Sequence, residues 1–432
     1  MIENRTVAFH TLGCKVNQYD TQAMRERFEE AGFRTVDFED RADVYVVNTC
    51  TVTGTGDKKS MQTIRRCHRL NPDAAIVVTG CLAQRAADEL KLPGVRLVLG
   101  TQRRGEVVQL LFQALEQDCA LIAVETLRQA PFERLTVHAH EGHTRATMKI
   151  QEGCDRWCTY CIIPSVRGPI RSRPLDEIRA EAESLAAAGF REAVLTGIHL
   201  TSYGRDFRDG TTLIDLLELI AREGGEMRIR LGSLEPRTVT REFCERAKKL
   251  PTLCPHFHLS MQSGCDATLK RMNRKYDTAR YYESVELLRE YFDDPAITTD
   301  LITGFPEETE EEFGETLAFI EKCGFAAMHI FPYSIRPGTK AAAMAQVDMS
   351  VREERAARAA AVAERMHQGY LARCVGKTFP VLFEQDRGEG SVGHAPNYMP
   401  VTVDVKGLHN TVQNVRITAV DGDGLRGEPE ET

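Results

Sequence analysis

Met148-Lys149-Ile150-Gln151-Glu152-Gly153-Cys154-Asp155-Arg156-Trp157-Cys158-Thr159-Tyr160-Cys161 joins a strand-like apolar run to three cysteines spaced C-x3-C-x2-C. Three thiolates on one short loop can hold three irons of a cubane cluster and leave the fourth iron open to a small ligand. Structural zinc takes four ligands, commonly as two close pairs, and no fourth partner stands nearby. The ferredoxin spacing would also supply a fourth cysteine. Structural zinc remains the alternative at this point. Downstream of this loop, strand-like runs recur at 193–196, 228–232, 256–261, 297–303 and 327–333, separated by helical patterns such as 175–188, which Pro174 opens and Gly189 stops. With 148–151 these make six βα units, which predicts a partial (β/α)6 barrel whose chemistry sits at the strand C-termini.

Upstream, runs at 6–11, 44–47 and 75–78 have strand length and β-branched content, with helical patterns at 19–30 and 58–70 between them. That order predicts a parallel α/β sheet with crossover helices. Each of these strands ends in a cysteine, at Cys14, Cys50 and Cys81. Strand C-termini of an open parallel sheet share one edge, so the three thiols can meet in space although they lie far apart in sequence. Buried core thiols are the bland alternative. The remaining cysteines, Cys67, Cys119, Cys244, Cys254, Cys265, Cys323 and Cys374, match no ligand spacing and read as packing or surface residues.

The chain reads as an N-terminal α/β domain (1–114), a linker or arm (115–144), a barrel domain (145–370) and a small C-terminal β-barrel (371–432). The last contains strand-like runs at 379–383, 400–405 and 411–420 between Gly-rich turns, and ends in an acidic, disordered tail at 428–432. His138, His140 and His143 in the arm lack regular ligand spacing and read as solvated.

The 432 residues carry 55 Lys+Arg against 63 Asp+Glu, a formal net charge of -8, with 42% hydrophobic residues. This is an ordinary globular balance, which excludes disordered and small disulfide-scaffold classes. No apolar run has membrane-spanning length and no secretory segment opens the chain. Thirteen cysteines in such a chain are expected to be reduced thiols or ligands in the cytoplasm. Three segments run against the net charge: 57–70, 145–173 and 267–280 each sum to +4. Together they suggest a polyanion footprint, with Lys58, Lys59, Arg65, Arg66, Arg271, Arg274 and Lys275 as its candidate contacts.

The C-x3-C-x2-C loop resembles that of the radical S-adenosylmethionine superfamily. The resemblance implies that Cys154, Cys158 and Cys161 bind a [4Fe-4S] cluster whose open iron chelates S-adenosyl-L-methionine. The stretches Thr11-Leu12-Gly13-Cys14-Lys15-Val16-Asn17, Asn48-Thr49-Cys50-Thr51-Val52 and Thr79-Gly80-Cys81 narrow it to the methylthiotransferases. So do Arg167-Gly168, the run from His258 to Gly264 and the run from Asp300 to Thr309. That family pairs a three-cysteine domain with a radical barrel and a TRAM β-barrel, so Cys14, Cys50 and Cys81 are implied ligands of a second, sulfur-donating [4Fe-4S] cluster.

The motif from Gly13 to Asn17, with the continuation from Cys161 to Pro164, resembles the bacterial enzymes that methylthiolate threonylcarbamoyladenosine in tRNA. Relatives acting on isopentenyladenosine, or on an aspartate of a ribosomal protein, are the alternatives, and a zinc-bearing RNA-binding module is a rival of another class. Gly197, Ser233, Glu235 and Gln262 follow successive barrel strands and are candidate cofactor contacts; no catalytic residue outside the cluster ligands is assigned. Trp157 reads as a shield for its cluster. The expected partners are tRNA, an external electron donor and a sulfur source, acting on a monomer with no membrane association. Residues 371–432 carry six bases and nine acids, an unhelpful balance for a domain expected to grip RNA.

Overall fold

The computed structural model describes residues 5–117, 119–135, 137 and 144–430. The chain forms two compact units. The first comprises residues up to 137 with Lys149–Arg173 and Ser334–Ala342; the second comprises 144–148, Pro174–Tyr333 and Ala343 onward.

The first unit is built on six strands in the order Arg34–Thr35, Thr6–Thr11, Val44–Thr49, Ala75–Gly80, Val95–Leu99 and Leu121–Ala123. Every pairing is parallel, as the alternation of strands and helices requires. Val44–Thr49 and Ala75–Gly80 are buried along their whole length, which is why they read as unbroken apolar runs rather than alternating ones. One sheet face packs Met24, Phe28, Leu110 and Leu111; the other packs Ile64, Cys67, Leu82 and Leu90. Helix Lys15–Glu30 covers the first face and helix Gly54–Leu70 the second. Register sets Thr11 beside Asn48 and Asn48 beside Thr79, so the loops carrying Cys14, Cys50 and Cys81 leave the sheet at one level. Within the stretch expected as an arm, helix Val107–Glu116 continues to 116 and Leu121–Ala123 closes the sheet edge. His138, His140 and His143 lie outside the described residues.

In the second unit, Glu192–Gly197 lies between Arg228–Leu231 and the strand Arg145–Glu152, whose opening residues belong to this unit. A second parallel sheet holds Ser233–Leu234, His256–Leu259, Ala296–Thr303 and Ala327–Pro332. All six anticipated barrel strands are present. The 26-residue helix Met349–Cys374 then leads to a closed barrel of Thr378–Arg387, Gly390–His394, Pro400–Val403, Gly424–Pro429 and Val412–Asp421. Its core of Val381, Phe383, Val401, Val403, Val415 and Ile417 also takes in Tyr370, Leu371 and Cys374 from the helix end. Within the tail expected to be disordered, Glu428 and Pro429 instead pair with Arg416 and Val415, because their backbone completes the ladder that closes the barrel. No helix among the described residues is long and apolar enough to cross a membrane.

Candidate cluster sites and cofactor edge

Gly13 brings the first two cysteine loops together. Its φ is +99°, and a side-chain carbon there would stand 2.9 Å from Cys50 Cβ and 3.0 Å from Cys50 Sγ. Any other residue would meet both a strained backbone and a clash. Asn17, one turn into the following helix, ties the same loops: its Nδ2 donates to Leu12 O at 2.7 Å and Thr49 O at 3.0 Å. Asn48 Nδ2 returns a bond to Asn17 O at 2.9 Å. Cys81 is buried and Cys50 partly so, whereas Cys14 is exposed. Burial pushes the Cys81 thiol up to about 11, with the Arg167 guanidinium pulling the other way, and burial likewise raises Cys50. These thiols lose their protons when a metal takes them.

The second cysteine loop leaves Arg145–Glu152 through Gly153, whose φ is +73° and whose missing side chain leaves room for Pro169 O. Cys154 N donates to Gly168 O at 3.0 Å, and Cys161 N to Cys158 O at 3.0 Å, so the loop is closed on itself. Arg156 N donates to Cys154 Sγ at 3.3 Å. Burial pushes the Cys154 thiol up to about 11. Trp157 is 61% exposed. All thirteen cysteines are free thiols. Among the described residues no three His, Cys, Asp or Glu side chains are gathered tightly enough for a single metal ion. Each set supplies three thiols, one short of the four ligands of structural zinc, and a cubane attaches each thiolate to a different iron, so the donor sets fit a cluster.

A buried ionic nexus adjoins the N-terminal triad. Arg167, fully buried, donates from Nε to Cys81 Sγ at 3.1 Å, from Nη2 to Asn17 Oδ1, and from Nη1 to Asp20 at 3.2 Å and Glu152 at 3.0 Å. Asp20 also accepts from Lys149 Nζ at 2.8 Å and from Arg104, whose Nε reaches Glu133 at 2.8 Å. Burial pushes the Asp20 and Glu152 carboxyls up, but the surrounding cations outweigh it and hold both below the usual carboxylate range. The +4 segment 145–173 is therefore not the polyanion footprint expected of it. Lys149, Arg167, Arg171 and Arg173 are all buried, and Lys149 and Arg167 are compensated by Asp20 from a distant part of the chain.

The remaining basic candidates divide. Lys58, Lys59 and Arg65 stand exposed on helix Gly54–Leu70, opposite the face that buries Ser60, Ile64 and Cys67. Arg66 pairs with Glu39, and Arg271 is committed to Glu312. Arg274 lies over the Tyr276 ring, 4.8 Å from its centroid, and Lys275 donates to Asn273 at 2.8 Å.

At the strand ends of the second unit, Ser233 Oγ meets Ser260 Oγ at 2.7 Å. Glu235 is buried, its carboxylate 3.8 Å from His199 Nε2. Gln262 has φ +70° and joins the next strand through its backbone, donating to Asp300 O and accepting from Ile302 N, both at 2.9 Å. Gly197 ends its strand half-buried. Next to these lies a polar pair not singled out from sequence: His258 Nε2 faces Asp300 Oδ2 at 3.2 Å while Nδ1 bonds Thr298 Oγ1 at 3.0 Å. Both residues stood inside quoted motifs. The available signal was polar residues recurring within otherwise apolar strands.

Sequence comparison agrees with this organisation. Residues 6–100 match the Uncharacterized protein family UPF0004, and residues 148–320 match the Radical SAM superfamily. The chain is 44% identical over 404 residues to the "Threonylcarbamoyladenosine tRNA methylthiotransferase MtaB" of Bacillus subtilis, covering 92% of this chain and 90% of that one. It is 41% identical over 387 residues to the protein of the same name from Aquifex aeolicus, covering 88% and 93%. Among solved structures, the radical S-adenosylmethionine methyltransferase TsrM from Kitasatospora setae superposes with a TM-score of 0.58 at 14% identity, covering 78% of this chain and 74% of that one, a likeness of fold. With both cysteine domains matched and the relatives covered nearly end to end, the chain belongs to the radical S-adenosylmethionine methylthiotransferases of the MtaB type.

Proposed function

We propose that this chain replaces the C2 hydrogen of threonylcarbamoyladenosine, next to the tRNA anticodon, with a methylthio group. The observation that carries the reading is the 44% identity over 92% of the chain to a protein named for that reaction. Four relatives of that name stand at 36–44% and a fifth at 33%, against 33% and 34% for two relatives named for dimethylallyladenosine. Cys154, Cys158 and Cys161 are assigned to one [4Fe-4S] cluster and Cys14, Cys50 and Cys81 to a second. When bound, these groups supply reductive cleavage of S-adenosyl-L-methionine and the transferred sulfur, chemistry that no side-chain acid or base can perform on an unactivated ring C–H bond.

The residues of the chain provide binding and exclusion. Gly197, Ser233, Glu235 and Gln262 are assigned to the cofactor on their strand-end positions; Ser233 is exposed there and offers a hydroxyl. Lys58, Lys59 and Arg65 offer phosphate contacts on a helix face free of acids other than Asp57, which is itself held by Arg85 and Arg336. Electrons and replacement sulfur come from external donors, and the protein works as a monomer in the cytoplasm. The test is mass spectrometry of nucleosides digested from tRNA of a bacterium that lacks this modification and expresses the chain. The methylthio derivative of threonylcarbamoyladenosine is expected. Methylthio-dimethylallyladenosine instead, or unmodified tRNA with a modified ribosomal protein, refutes the assignment.

A further inference from the structure

The N-terminal cysteine site has an unusual neighbour. Three of its thiols sit at the sheet edge, and the group donating to the most buried of them is not a backbone amide but a guanidinium with 0% exposure, Arg167. A buried guanidinium is stable only when its donors are used and its charge is balanced. Arg167 uses all three of its nitrogens: Nε on Cys81, Nη1 on Asp20 and Glu152, and Nη2 on Asn17. The Asn17 contact matters because the same side chain holds the loops of Cys14 and Cys50. One guanidinium therefore touches a cysteine directly and reaches the other two loops through one intervening amide.

Charge points the same way. The nexus brings Arg104, Lys149, Arg167 and Arg171 together with Asp20, Glu133 and Glu152, four cations against three carboxylates. Arg171 packs behind Arg167, donating to its carbonyl at 2.8 Å, while its own buried Nε and Nη1 find no hydrogen-bond partner among the described residues. Such an excess of positive charge in a low-dielectric interior is costly unless something anionic adjoins it, and the thiolates of the triad are the anionic groups on the side to which Arg167 Nε points.

We propose that Arg167 is the positioning residue of the N-terminal cluster, its guanidinium stabilising the more negative, reduced state through the bond to Cys81 and so raising that cluster's reduction potential. The inference rests on the assignment of Cys14, Cys50 and Cys81 as ligands. Hydrogen bonds to cluster sulfurs and nearby charge are established means of setting such potentials.

The test uses the full chain carrying Cys154→Ala, Cys158→Ala and Cys161→Ala, so that only the N-terminal cluster is present after anaerobic reconstitution. Arg167→Lys and the charge-compensated Arg167→Met/Glu152→Gln are compared with this parent by iron content and by redox titration followed by electron paramagnetic resonance. In the Met variant the ratio of reduced to oxidised cluster at a fixed potential should fall at least tenfold, about 59 mV for a one-electron couple; Lys, which keeps the cation, should recover most of it. Iron lost from the Met variant, with Lys retaining both iron and the parent's midpoint, makes the cation a structural requirement only and overturns its role in setting the potential. Midpoints equal to the parent's in both variants overturn the role of Arg167 while leaving the cluster assignment intact. Iron lost from both makes Arg167 a plain structural group and overturns it too. A parent without iron overturns the ligand assignment and the inference together.

Discussion

Glu192→Gln should destabilise the second unit by about 3 kcal/mol, a figure reached from two directions. Glu192 is fully buried and accepts from Arg228 Nη2 at 2.7 Å, Arg230 Nε at 2.7 Å and Arg230 Nη2 at 2.9 Å. Both arginines also donate to backbone of the C-terminal barrel, Arg228 to Pro380 O at 2.8 Å and Arg230 to Pro396 O at 2.9 Å. Removing the carboxylate charge strands two buried guanidinium groups, and loss of one partner of a buried pair costs roughly 3–5 kcal/mol. Independently, burial pushes the Glu192 carboxyl up but Arg230 and Arg228 overcome it and bring it from 4.5 to about 2. A depression of that size, at about 1.4 kcal/mol per pH unit, corresponds to about 3 kcal/mol. Because the folded carboxyl titrates below the unfolded one, this stability is fully present above about pH 4.5 and is lost as pH falls through about 2. Scanning calorimetry at pH 7 should show the second unit's transition lowered by about 6–12 °C, at roughly 2–4 °C per kcal/mol for a unit of this size. The gap between wild type and variant should narrow as the pH drops below 4.5. A gap of under about 1 kcal/mol at pH 7, or one independent of pH, would refute the argument that the charge of Glu192 holds the barrel strands to the C-terminal domain.

Replacing Cys14, Cys50 and Cys81 together by Ala should reduce the reconstituted protein from about eight irons to about four, since a cubane does not outlast its thiolates; unchanged iron would return these cysteines to the core. Gly13→Ala should give the same deficit with the fold retained, because its new carbon would lie 2.9 Å from Cys50 Cβ at a φ of +99°; full iron loading in that variant would show the loop gives way easily. Neutralising Lys58, Lys59 and Arg65 should weaken tRNA binding and flatten its dependence on salt by up to about 0.9 per lost phosphate contact in a log–log plot, with slope and affinity both read by filter binding at several ionic strengths. Neutralising Arg271, already committed to Glu312, should leave that slope unchanged.

The parts of the molecule that could be read from sequence are those whose cause is local. Val44–Thr49 and Ala75–Gly80 are buried on both faces, so their composition alone marks them as central strands, and a cysteine at the end of each is an edge residue by topology. Leu121–Ala123 escaped because three residues carry no periodicity; its strand state comes from pairing with Val95–Leu99. Charge was the misleading signal. Lys149, Arg167 and Arg171 look like a basic surface when counted with their sequence neighbours, yet Asp20 lies 129 residues from Lys149 and 147 from Arg167. A composition window cannot see a partner at that separation. The inward face of helix Lys15–Glu30 did hold the clue: Asn17, Asp20 and Thr21 are polar where the helix should be apolar, and all three are buried. Polar residues on a buried face need hydrogen-bonding partners. Asp20, as a carboxylate, also needs cations. The sequence does not say which cations these are; the fold supplies Lys149 and Arg167 from 145–173 and Arg104 from outside it, and sets Arg167 beside Cys81.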